Sequence, residues 1–181
     1  MNTIFVFNHA NASTTQRPND ELRQLLKIAI ASADSFNDRF DAEVWLMDMS
    51  TRLQNTITDH SKRISLLKQI HYEATRVDLA PELILSIIQV ESNFNRFAIS
   101  RVGAIGLMQI MPFWLKEIGR TNDNLFNMQT NLRFGCTILK YYLKKEKGNL
   151  THALARYNGS RNSFVYPKKV YYALDNRWFN R

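Results

Sequence analysis

The stretch "LILSIIQVESNFNRFAIS", residues 83–100, decides how this chain is read. Pro81 stands just before it, at a position where a helix tolerates proline in its first turn. Leu83, Ile84, Ile87 and Ile88 recur at helical spacing, and the next member of that stripe is Glu91. A carboxylate therefore shares a face with isoleucines at the C-terminal end of a helix. Partial burial penalises its ionised form, and the negative end of the helix dipole does the same. Both predict a raised pKa and a glutamic acid that holds its proton near neutrality, which is what a general acid needs. The plainer alternative is a Glu that marks the solvent edge of an amphipathic helix.

The residues after Glu91 bear on that choice. Polar and small residues lead to Gly103 and Gly106, then to an apolar knot holding Gln109 between Met108 and Ile110. Glycine lets a backbone pass close to another backbone or a ligand. A buried amide is costly unless it has partners, and sugar pockets combine apolar walls with such fixed amides.

Outward from this stretch the chain reads as all-α, a set of seven or eight helices. Residues 1–19 form a loose tail, with turn formers and Pro18. A helix is expected from Glu21, and another over "FDAEVWLMDMSTRLQNTI" with Phe40, Val44, Met47 and Leu53 on a broad face. Asp59 or Ser61 caps a third, carrying Ile64, Leu67, Ile70 and His71. "MPFWLKEIG" predicts a short proline-led helix ended by Gly119, and "TNLRFGCTILKYYLKKEKGN" a longer one stopped at Gly148. "LTHALARYNGS" closes at Asn158-Gly159, and "YPKKVYYALDNRWF" makes a last helix. Strand alternation with hairpin turns is nearly absent.

Composition narrows the function classes. The 181 residues are 45% hydrophobic and carry a net charge of +8, enough for a real core beneath a basic surface. Such a surface suits an acidic partner: nucleic acid, anionic lipid or an anionic wall polymer. No helix-turn-helix or zinc spacing supports nucleic acid, and "KYYLKKEKGN" fits a solvated helix face. Cys136 is the sole cysteine, so no internal disulfide can form, and its apolar setting predicts a small buried side chain. The four histidines show no metal-ligand spacing, and no apolar run approaches the ~20 residues of a membrane span. "MNTIFVFNHANAS" has too short an apolar patch for a complete secretory signal, although Ala10-Asn11-Ala12 looks like a cleavage site.

Four ordered blocks carry a resemblance. Glu91-Ser92, Phe94, Ala98, Ser100, Gly103-Ala104 and Gly106-Leu107-Met108-Gln109-Ile110-Met111-Pro112 make the first. Asn131 and Gly135 followed by Tyr142-Leu143 make the second. Ala153 to Gly159, "ALARYNG", and Tyr166-Pro167-Lys168-Lys169-Val170 make the third and fourth. Over roughly residues 70–175 the chain resembles the soluble lytic transglycosylase family, bacterial enzymes that cut peptidoglycan. It departs at Arg96, where the family usually has proline, and at Ser160, beside a missing alanine.

The resemblance implies a lysozyme-like (goose-type) helical catalytic domain over residues 70–181; residues 1–69 lie outside its motifs, and the helices in 20–69 are expected to pack on that domain, with partner binding as the alternative. It implies cleavage of the β-1,4 bond between N-acetylmuramic acid and N-acetylglucosamine, with the sugar's own 6-hydroxyl as nucleophile. Glu91 would act first as acid and then as base. No Asp or Glu occurs between Glu91 and Glu117, whereas ordinary glycosidases use two carboxylates. Ser92 either caps its helix or orients Glu91. Ser100 and Gln109 are expected on the substrate, Met108 and Met111 form an apolar wall or pack in the core, and Tyr157 and Asn158 bind sugar. Tyr166 is expected to hydrogen-bond Glu91. The partner is then peptidoglycan glycan strands, met by a monomer in the periplasm or cell envelope, with no cofactor and no metal. A water-using lysozyme and a non-catalytic wall-binding module are the competing expectations.

Overall fold

The computed structural model describes residues 39–179, all of it helix and loop apart from isolated bridges. The expected tail over 1–19 and the helix from Glu21 lie outside the described residues. The described chain forms α1 (Arg39–Leu53), α2 (His60–Thr75), α3 (Pro81–Ser92), α4 (Trp114–Ile118), α5 (Met128–Lys145), α6 (Leu150–Tyr157), α7 (Val165–Ala173) and a π-helical turn (Leu174–Trp178).

Helix ends follow the local chemistry read from the sequence. The Asp59 carboxylate accepts from the Lys62 backbone N–H at 3.0 Å and caps α2. Asn127 and Asn149 do the same for α5 and α6. Pro81 opens α3, and Gly148, at φ +87°, ends the run that follows α5. The last helix differs from expectation. It ends at Ala173 and the chain widens into a π turn, where the Phe179 N–H donates to the Leu174 carbonyl at 2.7 Å. The wider turn sets Trp178 fully into the core, with its indole N–H on Gln89 Oε1 at 2.7 Å.

α3 is the axis of the molecule. Leu83 to Ile88 are all buried, so it is enclosed on nearly every side rather than along one stripe. α2, α7 and the π turn pack on it, and α1 is tied to its first turn by Trp45 Nε1 donating to Glu82 Oε1 at 2.6 Å. One apolar core runs from Leu46 on α1 to Trp178. The face expected of α1 is corrected in part: Phe40 and Val44 are exposed, whereas Leu53 is buried as expected, together with Ala42, Leu46 and Met49. Apolar residues occur all round this helix, so helical spacing admits more than one stripe.

Candidate functional site

α3 ends at Ser92, and the chain then turns through two successive left-handed residues, Asn93 at φ +47° and Phe94 at φ +67°. Asn tolerates that conformation; a bulky aromatic does so at a cost. The turn seats the Phe94 ring in the core, edge-on to Trp178 with centroids 5.6 Å apart. It also leaves Glu91 at the lip of a cavity of about 250 Å³. Glu91, Tyr166 and Asn158 line that cavity, joined by Ser160, Ser163 and Lys169 over apolar contributions from Val90 and Val165.

Glu91 is half-buried, and its pKa is raised from 4.5 to about 7 because burial disfavours the carboxylate. Donation from Tyr166 opposes this and keeps the value from rising further. The Tyr166 hydroxyl is buried and has no partner within ordinary hydrogen-bond geometry, alone in this among the described side chains. Its own pKa is pushed well up, by burial first and by the charge of Glu91, which lines the same cavity, next. Tyr157 is pushed up by the same two causes, burial and then Glu91. Among the residues lining the cavity Glu91 is the only carboxylate.

Behind the cavity, the segment Ala98–Ile110 is locked by its own polar side chains. The Ser92 hydroxyl donates to the Leu107 carbonyl at 2.8 Å, tying the helix that carries Glu91 to this segment. Ser100 Oγ accepts from the Ala104 N–H at 3.0 Å. Gln109, at φ +50°, donates from Nε2 to the Gly106 carbonyl at 2.9 Å and to the Ala98 carbonyl at 3.3 Å. Asn131, buried on α5, accepts from the Met108 N–H and donates to the Ile105 and Leu125 carbonyls, at 2.8, 2.9 and 2.9 Å. Tyr157 then donates to the Met108 carbonyl at 2.8 Å. Gly106, at φ +81°, is required here, since a Cβ would stand 2.4 Å from Asn131 Nδ2.

The expected site residues thus divide. Glu91, Asn158 and Tyr166 meet in the cavity. Ser92, Ser100, Gln109 and Tyr157 use side-chain groups to hold the frame around it. Met111 is half-buried and lies outside the cavity lining. Met108 follows the core-packing alternative: it is fully buried against Gly135 of α5, where a Cβ would fall 2.2 Å from its sulfur. Of the two departures noted above, Ser160 lines the cavity, whereas Arg96 stacks on Phe97 at 4.7 Å and reaches the Phe126 carbonyl. Lys169 and Ser163 were not singled out from the sequence, and Ser160 only as a departure from the family pattern; a polar residue at a loop or helix start carries no periodic signal, although Lys169 sits inside the fourth block. Cys136 is buried with its thiol pKa raised. Among the described residues no group of three or more His, Cys, Asp or Glu is placed to hold a metal ion.

Comparison with known proteins adds three findings. The family model described as "Transglycosylase SLT domain" matches residues 68–178. A "Transglycosylase" of Enterobacteria phage PRD1 is 35% identical over 97 residues, covering 54% of this chain and 36% of that protein. "Membrane-bound lytic murein transglycosylase C" of Yersinia pestis (strain Pestoides F) is 31% identical over 115 residues, 55% of this chain and 32% of that protein. The match therefore spans about a third of the length of either relative. Among solved structures, the 70 kDa soluble lytic transglycosylase of Escherichia coli aligns at TM-score 0.46 and 20% identity, over 90% of this chain and 26% of that one.

Proposed function

From the premise that the chain belongs to the Transglycosylase SLT domain family, we propose that it is a peptidoglycan lytic transglycosylase with Glu91 as its single acid and base. The observation that carries this reading is a lone carboxylate, half-buried, with a pKa near 7 and no second carboxylate in its cavity. A hydrolase of the ordinary kind needs a second carboxylate to activate water or to attack. A reaction in which the substrate supplies its own nucleophile does not.

The steps balance on one residue. Protonated Glu91 donates to the oxygen of the bond between N-acetylmuramic acid and N-acetylglucosamine, and the C1–O bond breaks as positive charge grows on C1. The Glu91 carboxylate then takes the proton of the 6-hydroxyl, and O6 bonds to C1 to close a 1,6-anhydro ring. Because the attack is intramolecular, the entropy of bringing nucleophile and carbon together is largely met by the substrate itself. The anion that forms in mid-reaction has the Tyr166 hydroxyl as a neighbouring donor in the cavity. Asn158 and the Ser160 and Ser163 hydroxyls offer hydrogen bonds to sugar groups in the cavity.

The substrate class places the enzyme at the cell wall, in the periplasm or envelope. Among the described residues no helix is long and apolar enough to cross a membrane. Glu91→Gln is expected to keep the fold and to lower cleavage of purified sacculi by about 10²–10⁴-fold. Full activity in that variant sinks the assignment. Product masses separate the water-using alternative, since an anhydro end is one water lighter than a hydrolysed end.

A further inference from the structure

The loop after α3 holds three large apolar side chains in the open: Phe97, Ile99 and Val102 leave 63%, 65% and 75% of their surface in solvent. They are kept from folding inward because the backbone around them is pinned. The Gly106 N–H donates to the Ala98 carbonyl at 2.8 Å, the Ser100 N–H to the Ala104 carbonyl at 2.9 Å and the Gly103 N–H to the Ser100 carbonyl at 3.0 Å. Arg96 and Arg101 stand among these side chains, both exposed and neither in an ion pair among the described residues. From Ser92 to Lys116 the sequence holds no Asp or Glu. Arg96 and Phe97 also line a cavity of about 680 Å³ between α2 and this loop, which shares no lining residue with the catalytic cavity. Buried Leu66, Phe94 and Leu107 give it an apolar floor, and its charged lining residues are Lys62 and Arg96. Lys62 is shared with Asp59 at 3.5 Å across open surface, a weak pair. Arg96 meets the Phe97 ring and the Phe126 carbonyl, neither of which neutralises it.

We propose that this loop and the cavity beside it form a docking site for an anionic lipid surface. Such a surface supplies both complements at once: phosphate for the guanidinium groups, in charge-assisted contacts, and acyl chain for phenylalanine, isoleucine and valine. A glycan does not, since isoleucine and valine have no hydrogen bond to give its hydroxyls and amides. The cavity offers an apolar recess to an acyl chain whose phosphate meets Arg96. Because the loop is already pinned, little ordering is left to pay for on docking. The net charge of +8 draws the whole chain towards the same surface. The pinned segment also frames the catalytic cavity, so docking fixes the orientation of that cavity relative to the bilayer.

The test is flotation of the full chain with vesicles of phosphatidylcholine alone and of equal parts phosphatidylcholine and phosphatidylglycerol. Wild type is expected to float with the anionic vesicles and to stay largely unbound with the neutral ones. Phe97→Ser combined with Val102→Ser, both at exposed positions, is expected to weaken binding to the anionic vesicles about tenfold with the melting temperature unchanged. Val102→Ser alone is expected to act in the same direction. Arg96→Ser is expected to weaken binding about fivefold, whereas Lys144→Ser, the same loss of charge at the far end of α5, changes it less than about twofold. Failure to float with the anionic vesicles overturns the inference and leaves the face to a protein partner. Flotation unmoved by the paired serine substitutions also overturns it, since net charge alone is then at work. So does an equal loss in Arg96→Ser and Lys144→Ser. Flotation involves no cleavage, so its failure is distinct from a failure of the catalytic reading.

Discussion

Burial fixes the sign of the pH effect at Glu91. The cavity tolerates the neutral carboxyl and penalises the charged one, so the folded-state pKa lies near 7 against an ordinary 4.5. The stability that goes with the protonated form is complete below about 4.5 and is lost as pH rises through about 7. Glu91→Gln removes the titration, so its melting temperature is expected to exceed that of wild type at pH 8 and to converge with it towards pH 4. A thermal scan across that range checks it; a gap that widens on acidification has the wrong sign. As general acid, Glu91 must begin protonated, so kcat/KM should fall as pH rises through about 7. Tyr166→Phe removes the donor that restrains the Glu91 pKa, and the alkaline limb is expected to move to higher pH while the rate drops. A pH–rate profile of that variant decides, and a limb displaced to lower pH contradicts the assigned geometry.

Among the elements, α3 and the segment behind it show what a sequence can and cannot disclose. The glutamate at the end of an apolar run was legible because helical spacing puts Ile84, Ile87, Ile88 and position 91 on one face, and those three isoleucines are indeed buried ahead of Glu91. The role of Gln109 was half legible: an amide in an apolar knot needs partners, and its Nε2 finds them in backbone carbonyls of its own loop, which the sequence did not name. Asn131 was legible only as part of a motif, because which backbone groups it meets depends on folding α5 against residues 105–108. Asn131→Ala leaves the Met108 N–H and the Leu125 carbonyl unpaired at roughly 1–3 kcal/mol each, while the Ile105 carbonyl keeps the Ile110 N–H, so a loss of about 2 kcal/mol or more is expected in denaturant unfolding. Gly135→Ala must displace the Met108 side chain, for an expected loss of about 1–3 kcal/mol by the same measurement.

For the whole molecule, the +8 charge gives a simple expectation. Association with isolated anionic wall polymer should weaken as salt rises, and a sedimentation assay reads this directly; unchanged binding at high salt counts against steering by charge. The overall all-α class was legible from spacing and caps, whereas the closure of the fold was not. Arg52 donates to the Arg177 carbonyl at 2.6 Å, and Arg177 donates back to the Arg52 carbonyl at 2.9 Å. Two surface-type arginines 125 positions apart give no sequence signal that they meet.

That reciprocal clasp separates two boundaries that are easily equated, the segment a family shares and the unit that holds itself together. The shared segment opens at residue 68, midway along α2, and closes at 178. Cutting the chain there would halve α2, bare the core that Leu46, Met49 and Leu53 cover, and leave Arg177 and the Trp178 turn without their anchor. Trp178 in turn holds Gln89, two residues before Glu91. Inheritance is thus recorded over one length of this chain and mechanical integrity over a longer one, and an exchange of catalytic segments between relatives should carry α1 along with the glutamate.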